Sequence, residues 1–163
     1  MRSLGPYDGW IRDSVLNLKF NGEFSRDRML GELLAGQLVD LNLPSGTLIV
    51  AVPLHPKRLK ERGYNQADKI ARVVAPTIGC AIETPLVRIK ETKQQAKLDA
   101  ADRMLNMADA FAVTADWAHR LNGRTIVIVD DVTTTGSTIG ACATPLLRAG
   151  AIRAVGLTIA RSL

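Results

Sequence analysis

Three stretches of the chain are continuously apolar or β-branched: Leu48–Val52, Thr125–Val129 and Ala154–Ala160. Short runs without polar alternation predict strands buried on both faces, as in a parallel sheet. Around them, apolar residues recur at helical spacing. Tyr7–Phe20 carries Ile11, Val15 and Leu18 on one side, with Gly22 just beyond, and predicts an amphipathic helix. Ser25 is placed to cap a second helix through Leu41, with Met29, Leu30, Leu33, Leu34 and Leu38 as its expected buried face. Leu43–Gly46 reads as a turn. A third helix is predicted from about Asn65 to Thr77, with Ile70, Val73 and Val74 inward. A fourth runs from about Ser137 to Arg148; Gly150 suits its C-terminal cap, and Pro145 is expected to bend it. Shorter strands are predicted near Ala81–Thr84, Leu86–Ile89 and within Asn106–Val113, ahead of an Asn122-Gly123 turn.

Strands alternating with helices predict an α/β fold: an open, mostly parallel sheet flanked by helices. The first two helices precede the sheet, and residues 1–45 are expected to form a small hood over its open end. Residues 46–163 would then be the core of a single domain, as 163 residues also suggest. A chain of this length buries about 68–70% of its unfolded surface, so it needs no covalent staple.

Composition narrows the function classes. Apolar content of 47% and charged content of 23% are those of an ordinary globular protein. Cys80 and Cys142 have no metal-binding or redox spacing, and Cys142 falls on the apolar side of the fourth helix. No apolar stretch reaches membrane-spanning length and residues 1–20 lack a signal-peptide core, so a cytoplasmic protein without a membrane partner is expected. The net charge of +5 favours anionic partners. Aromatics are only 4%, and no basic run is interleaved with them, which argues against a stacking platform for single strands.

The chemistry concentrates where the second apolar run ends. Asp130 and Asp131 follow it directly, then Thr133, Thr134, Thr135, Gly136, Ser137 and Thr138, and then the fourth helix. Ligands of open α/β sheets bind at the carboxyl ends of strands. The first amides of a helix lack intrahelical partners, and the dipole adds about half a positive charge there. Gly136 can take a positive φ and let the backbone approach a bound group closely. With hydroxyls around it, this is an anion cradle sized for a phosphate. The carboxylates would repel a phosphate, so they serve ribose hydroxyls, a hard cation such as Mg²⁺, or both. A phosphorylated ribose satisfies the whole set. A simple N-cap needs one hydroxyl rather than four. A P-loop ATPase would need GxxxxGK[ST], which the chain lacks, and a phosphoaspartate receiver would need a later acidic residue, of which there is none.

Two further segments carry candidate chemistry. Pro53–Arg62 leaves the end of the first apolar strand as a basic loop holding Lys57, Arg58, Lys60 and Arg62. His55, among prolines, is given no catalytic role. Lys90–Arg103 is long and polar with little periodicity, a pattern usual for functional loops.

Val129–Thr138 resembles the phosphoribosyl pyrophosphate (PRPP) signature of type I phosphoribosyltransferases. Arg62-Gly63-Tyr64-Asn65-Gln66, the spacing Thr92, Gln95, Leu98, Arg103, Asn106, Ala110-Phe111, and Gly150-Ala151 ahead of Ala160-Arg161 extend the likeness. Together they resemble the ComF/GntX family of competence-associated phosphoribosyltransferase-like proteins. Many members carry an N-terminal cysteine-rich zinc-binding segment, which these residues do not contain. The resemblance implies a type I phosphoribosyltransferase fold whose hood shapes an acceptor pocket. It implies that Thr133–Thr138 hold the 5′-phosphate, Asp130 and Asp131 the ribose hydroxyls and Mg²⁺, and Lys57, Arg58 and Arg62 the pyrophosphate. Thr92, Gln95 and Arg103 would belong to a flexible lid. The implied activity is phosphoribosyl transfer, a pentosyl (glycosyl) transfer of nucleotide-metabolism type, from PRPP to an unidentified acceptor. The alternative is a non-catalytic PRPP sensor or DNA-uptake adaptor. Expected partners are a competence-machinery protein or single-stranded DNA, and a second copy of the chain as a homodimer.

Overall fold

The computed structural model describes residues 1–20, 24–90 and 109–162. In chain order its elements are β1 (Arg2–Pro6), α1 (Gly9–Phe20), α2 (Phe24–Gly36), β2 (Leu48–Ala51), α3 (Pro56–Arg62), α4 (Gln66–Thr77), β3 (Ala81–Ile82), β4 (Leu86–Arg88), β5 (Phe111–Val113), β6 (Thr125–Thr133), α5 (Ser137–Arg148) and β7 (Arg153–Arg161). Five strands form a parallel sheet in the order β1-β7-β6-β2-β3. β4 and β5 pair antiparallel as a separate ribbon.

The central strands are apolar throughout because both faces are covered. Side chains alternate across the sheet. Ile49, Val127, Val129, Leu157 and Ile159 join α1, α2 and α4 through Val15, Leu34, Ile70 and Val74. Leu48, Val50, Ile126 and Ile128 join α5 and the β4–β5 ribbon through Ile139, Cys142, Leu146, Leu86 and Phe111. The expected α/β architecture is thus the observed one, and Cys142 is a core residue.

The N-terminal segment adds a strand that its sequence hides. β1, RSLGP, lies beside β7 with Arg2 opposite Leu157 and Pro6 opposite Arg161. Gly5 and Pro6 erase any strand pattern, yet proline is tolerated at the end of an edge strand. α1 starts at the carboxyl edge, where the Tyr7 amide donates to the Arg161 carbonyl. It ends near the loop after α3, where Tyr64 Oη donates to the Leu18 carbonyl at 2.5 Å.

α2 corrects the expected face. Asp27, Leu30, Gly31, Leu34, Ala35 and Leu38 are buried, whereas Met29 and Leu33 are nearly half exposed. Gly31 sets this rotation: a Cβ there would lie 2.5 Å from Val73 Cβ on α4. The helix also stops at Gly36, short of the expected Leu41; Val39–Leu41 is a separate 3₁₀ turn closed by Asn42 at φ 44°.

Candidate functional site

β6 runs past the expected Val129 to Thr133, carrying the acidic pair in extended conformation. Alternation therefore sends the two carboxylates to opposite faces of the sheet. Asp131 turns toward α4 and is 6% exposed. Its Oδ2 accepts from Gln66 Nε2 at 2.9 Å, and its Oδ1 from the Val132 amide at 2.6 Å. Asp130 is half-buried on the α5 side. The last β2 pairing is Ala51 with Val129, and just beyond it the Asp131 amide donates to Asp130 Oδ1 at 2.8 Å.

The hydroxyl run divides in two. Thr133 is the buried last residue of β6, its carbonyl accepting from the Ser162 amide at 2.8 Å. Thr134, Thr135 and Gly136 form the bend, and Ser137 and Thr138 open α5. Gly136 is the N-cap at φ 80°, a conformation that L side chains rarely adopt, and contributes no side chain to the helix start. Thr135 Oγ1 donates to Ser137 Oγ at 3.1 Å and accepts from the Ser137 amide at 3.4 Å. The result is a loop of hydroxyls at the N-terminus of a twelve-residue helix, at the carboxyl end of the central strand. Such a terminus attracts anions through its amides and dipole.

The basic segment is helical, not an open loop. His55 Nδ1 accepts from the Lys57 amide at 3.3 Å and Pro56 occupies the first turn, a pairing that starts helices. Gly63 ends the helix at φ 80°, its amide donating to Leu59 O at 2.8 Å. Lys57 and Lys60 are exposed, while Arg58 and Arg62 are half-buried.

Every residue of Arg62-Gly63-Tyr64-Asn65-Gln66 has a structural task. Gly63 caps α3 and Tyr64 holds α1. Asn65 caps α4 by accepting from the Ala67 amide at 3.1 Å, and its Nδ2 donates to Val52 O at 2.9 Å, tying the end of β2 to the start of α4. Arg62 Nη1 donates to Gln66 Oε1 at 2.7 Å, and Gln66 carries the contact on to Asp131. Beside them Lys69 Nζ lies 3.8 Å from the Tyr64 ring centroid and 3.8 Å from buried Asp27 Oδ2. Burial raises the Asp27 pKa, with Lys69 opposing it.

Arg88 is a half-buried cation that the sequence pattern did not single out. On β4 it stands across from Phe111, its guanidinium 5.4 Å from the ring centroid. Burial, and then the positive charge of Arg58, push its pKa below the usual arginine range; Cys142 and Asp130 act in the opposite sense. Arg58 and Asp130 thus act on the Arg88 charge in opposite senses. Burial also drives the Cys142 thiol well above its ordinary pKa, followed by the charge of Asp130, which leaves it a protonated core group. The signal for Arg88 was available: Leu86 points inward, so period two puts Arg88 inward too, with Val87 and Ile89 exposed. Thr92, Gln95 and Arg103, the expected lid residues, lie outside the described residues.

Among the described residues no three His, Cys, Asp or Glu side chains gather as a metal site.

Curated proteins supply the family. The chain is 34% identical to the DNA utilization protein YhgH of Salmonella typhi over 91% of its own length and 66% of that protein. It is 34% identical to competence protein F of Haemophilus influenzae over 83% of its length and 61% of that protein. The chain belongs to the ComF family. Competence protein ComFC of Bacillus subtilis matches 99% of this ComF chain at 26% identity. The chain spans about half to two thirds of the length of the curated relatives it matches. No family model matches it. Among solved structures, the glutamine PRPP amidotransferase of Bacillus subtilis aligns with 87% of this ComF chain and 30% of its own, with TM-score 0.56 and 17% identity. The allosteric regulatory enzyme of purine biosynthesis aligns with 88% of this chain and 30% of its own, with TM-score 0.52 and 15% identity. These likenesses establish the type I phosphoribosyltransferase fold. Among the described residues, no helix is long and apolar enough to cross a membrane.

Proposed function

We propose that the chain binds PRPP with Mg²⁺ and transfers its phosphoribosyl group to a nucleophilic acceptor, releasing pyrophosphate. The observation that carries this reading is the end of β6: two carboxylates, then a hydroxyl-lined bend with Gly136 at positive φ, then a helix N-terminus. Thr134, Thr135, Gly136, Ser137 and Thr138 would hold the 5′-phosphate through amides and hydroxyls, with Thr133 anchoring the loop from below. Asp130, the more exposed of the two, would hold the cation and accept from a ribose hydroxyl, and Asp131 would accept from a ribose hydroxyl from the other face of the strand end. Arg58, Lys57, Arg62 and the unforeseen Arg88 would face the pyrophosphate, whose charge suits guanidinium donors. Thr92, Gln95 and Arg103 would close over the ligand and exclude water. Bound Mg²⁺ would supply neutralisation of charge on the departing pyrophosphate.

In this reaction the acceptor lone pair forms a bond to the anomeric carbon. The bond from that carbon to the pyrophosphate oxygen breaks and its electron pair leaves with the pyrophosphate. Positive charge would build on the ribose ring as in glycoside hydrolysis, and the carboxylates would stabilise it. Positioning of the two reactants contributes the rest.

A second reading is favoured by the printed names of the relatives, DNA utilization and competence proteins rather than enzymes. It keeps the PRPP site without turnover, in a sensor or DNA-uptake adaptor bound to single-stranded DNA or a competence protein. The experiment that separates them is PRPP-dependent pyrophosphate release with Mg²⁺ across bases, amines and water. Release with one acceptor supports the transferase. PRPP binding without release, together with salt-sensitive DNA affinity, supports the adaptor.

A further inference from the structure

We infer that Gln66 is the positioning residue for Asp131, holding its carboxylate for the ligand while Arg62 fixes the orientation of the glutamine amide. The inference rests on the PRPP reading of the site. Gln66 is 5% exposed and Asp131 6%, so their partners within the protein decide how they are held. A side-chain amide has one accepting and one donating end. Arg62 offers only donors, and at 2.7 Å it takes the oxygen end; ionised Asp131 offers only acceptors, and at 2.9 Å it takes the nitrogen end. Both neighbours select the same orientation, and a flip would turn the amide oxygen onto the carboxylate.

The choice of an amide has a chemical consequence. Burying a carboxylate is costly unless donors meet it. A lysine or arginine at position 66 would meet that need but would also neutralise the charge that a ribose hydroxyl or a cation requires. Gln66 donates a hydrogen bond and leaves the negative charge in place. Asp131 is then held at Oδ2 by Gln66 and at Oδ1 by the Val132 amide. The same chain of contacts joins the basic segment, through Arg62, to the acidic pair.

The test uses Gln66→Met, Asp131→Asn and the double variant in the full chain, with affinity for PRPP in Mg²⁺ measured by calorimetry. Gln66→Met keeps the volume without a donor and should lose about tenfold. Added to Asp131→Asn, the same change should cost little more, because the glutamine acts through that carboxylate. A packing role alone would add its loss in full to that of Asp131→Asn. If Gln66→Met does not fold, Gln66→Glu, which keeps the acceptor toward Arg62, takes its place in the cycle. A variant at position 66 that binds as wild type does, or losses that simply add, overturns the inference alone. A wild type that binds no PRPP overturns the site reading and the inference with it.

Discussion

Gln66 Nε2 donates to Asp131 Oδ2 at 2.9 Å, joining the first turn of α4 to the end of β6 across 65 positions of sequence. The bond exists because extended backbone turns neighbouring side chains to opposite faces. Asp131 is committed to the α4 side, and Asp130 faces the side of α5, Arg58 and Arg88. Two adjacent carboxylates that look equivalent in sequence therefore have different surroundings.

Arg88 separates binding from stability. Its burial disfavours the cation, and Arg58 adds to that. A buried charge kept at such a place is weak evidence for a stabilising role. Arg88→Met should leave the thermal midpoint unchanged or raised, while PRPP affinity falls about tenfold. Calorimetry and thermal melts on the same sample check both halves; a lower midpoint with unchanged affinity would make Arg88 a structural residue.

Gly31 predicts a packing clash with a remedy. A Cβ there would sit 2.5 Å from Val73 Cβ and 2.6 Å from its Cγ1. Gly31→Ala should cost about 1–3 kcal/mol by overpacking α2 against α4. Val73→Ala in the same chain should recover most of that loss. Urea unfolding of the two single variants and the double variant gives the coupling, and simple additivity would refute the contact.

Asp27 gives a pH dependence of definite sign. Burial raises its folded-state pKa above the ordinary value of 3.8, against the pull of Lys69. The folded protein therefore binds this proton more tightly than the unfolded chain. The stability it contributes is fully present below 3.8 and is lost as pH rises through the folded value. Unfolding free energy of wild type relative to Asp27→Asn should increase as pH falls from about 7 to about 4. A difference that stays constant or shrinks would contradict the shift.

Much of the fold was legible because its central strands are buried on both faces. Leu48–Ala51, the start of β6, and β7 show as unbroken apolar runs, and α5 begins and ends where its pattern says. β1 was hidden because an edge strand of five residues needs little of its own apolar surface. The face of α2 was misjudged because hydrophobicity favours Met29 and Leu33, while Gly31 and Asp27 are what α4 accepts. Asp130, Asp131 and the hydroxyl run stood out as a contiguous stretch. Arg88 and Gln66 did not, since their importance comes from residues 42 and 65 positions away. The helical state of Lys57 and Arg58 turned on His55 and Pro56 as a cap.

The central claim is that the end of β6 and the start of α5 form a Mg²⁺-dependent PRPP site. Its most direct test is titration of PRPP into the wild type and Asp130→Asn, with and without Mg²⁺. The account predicts saturable wild-type binding that weakens without the cation, and a loss of about tenfold to a hundredfold in the variant, the size of a hydrogen bond to a charged group. Binding of equal strength in both proteins, indifferent to Mg²⁺, would contradict it.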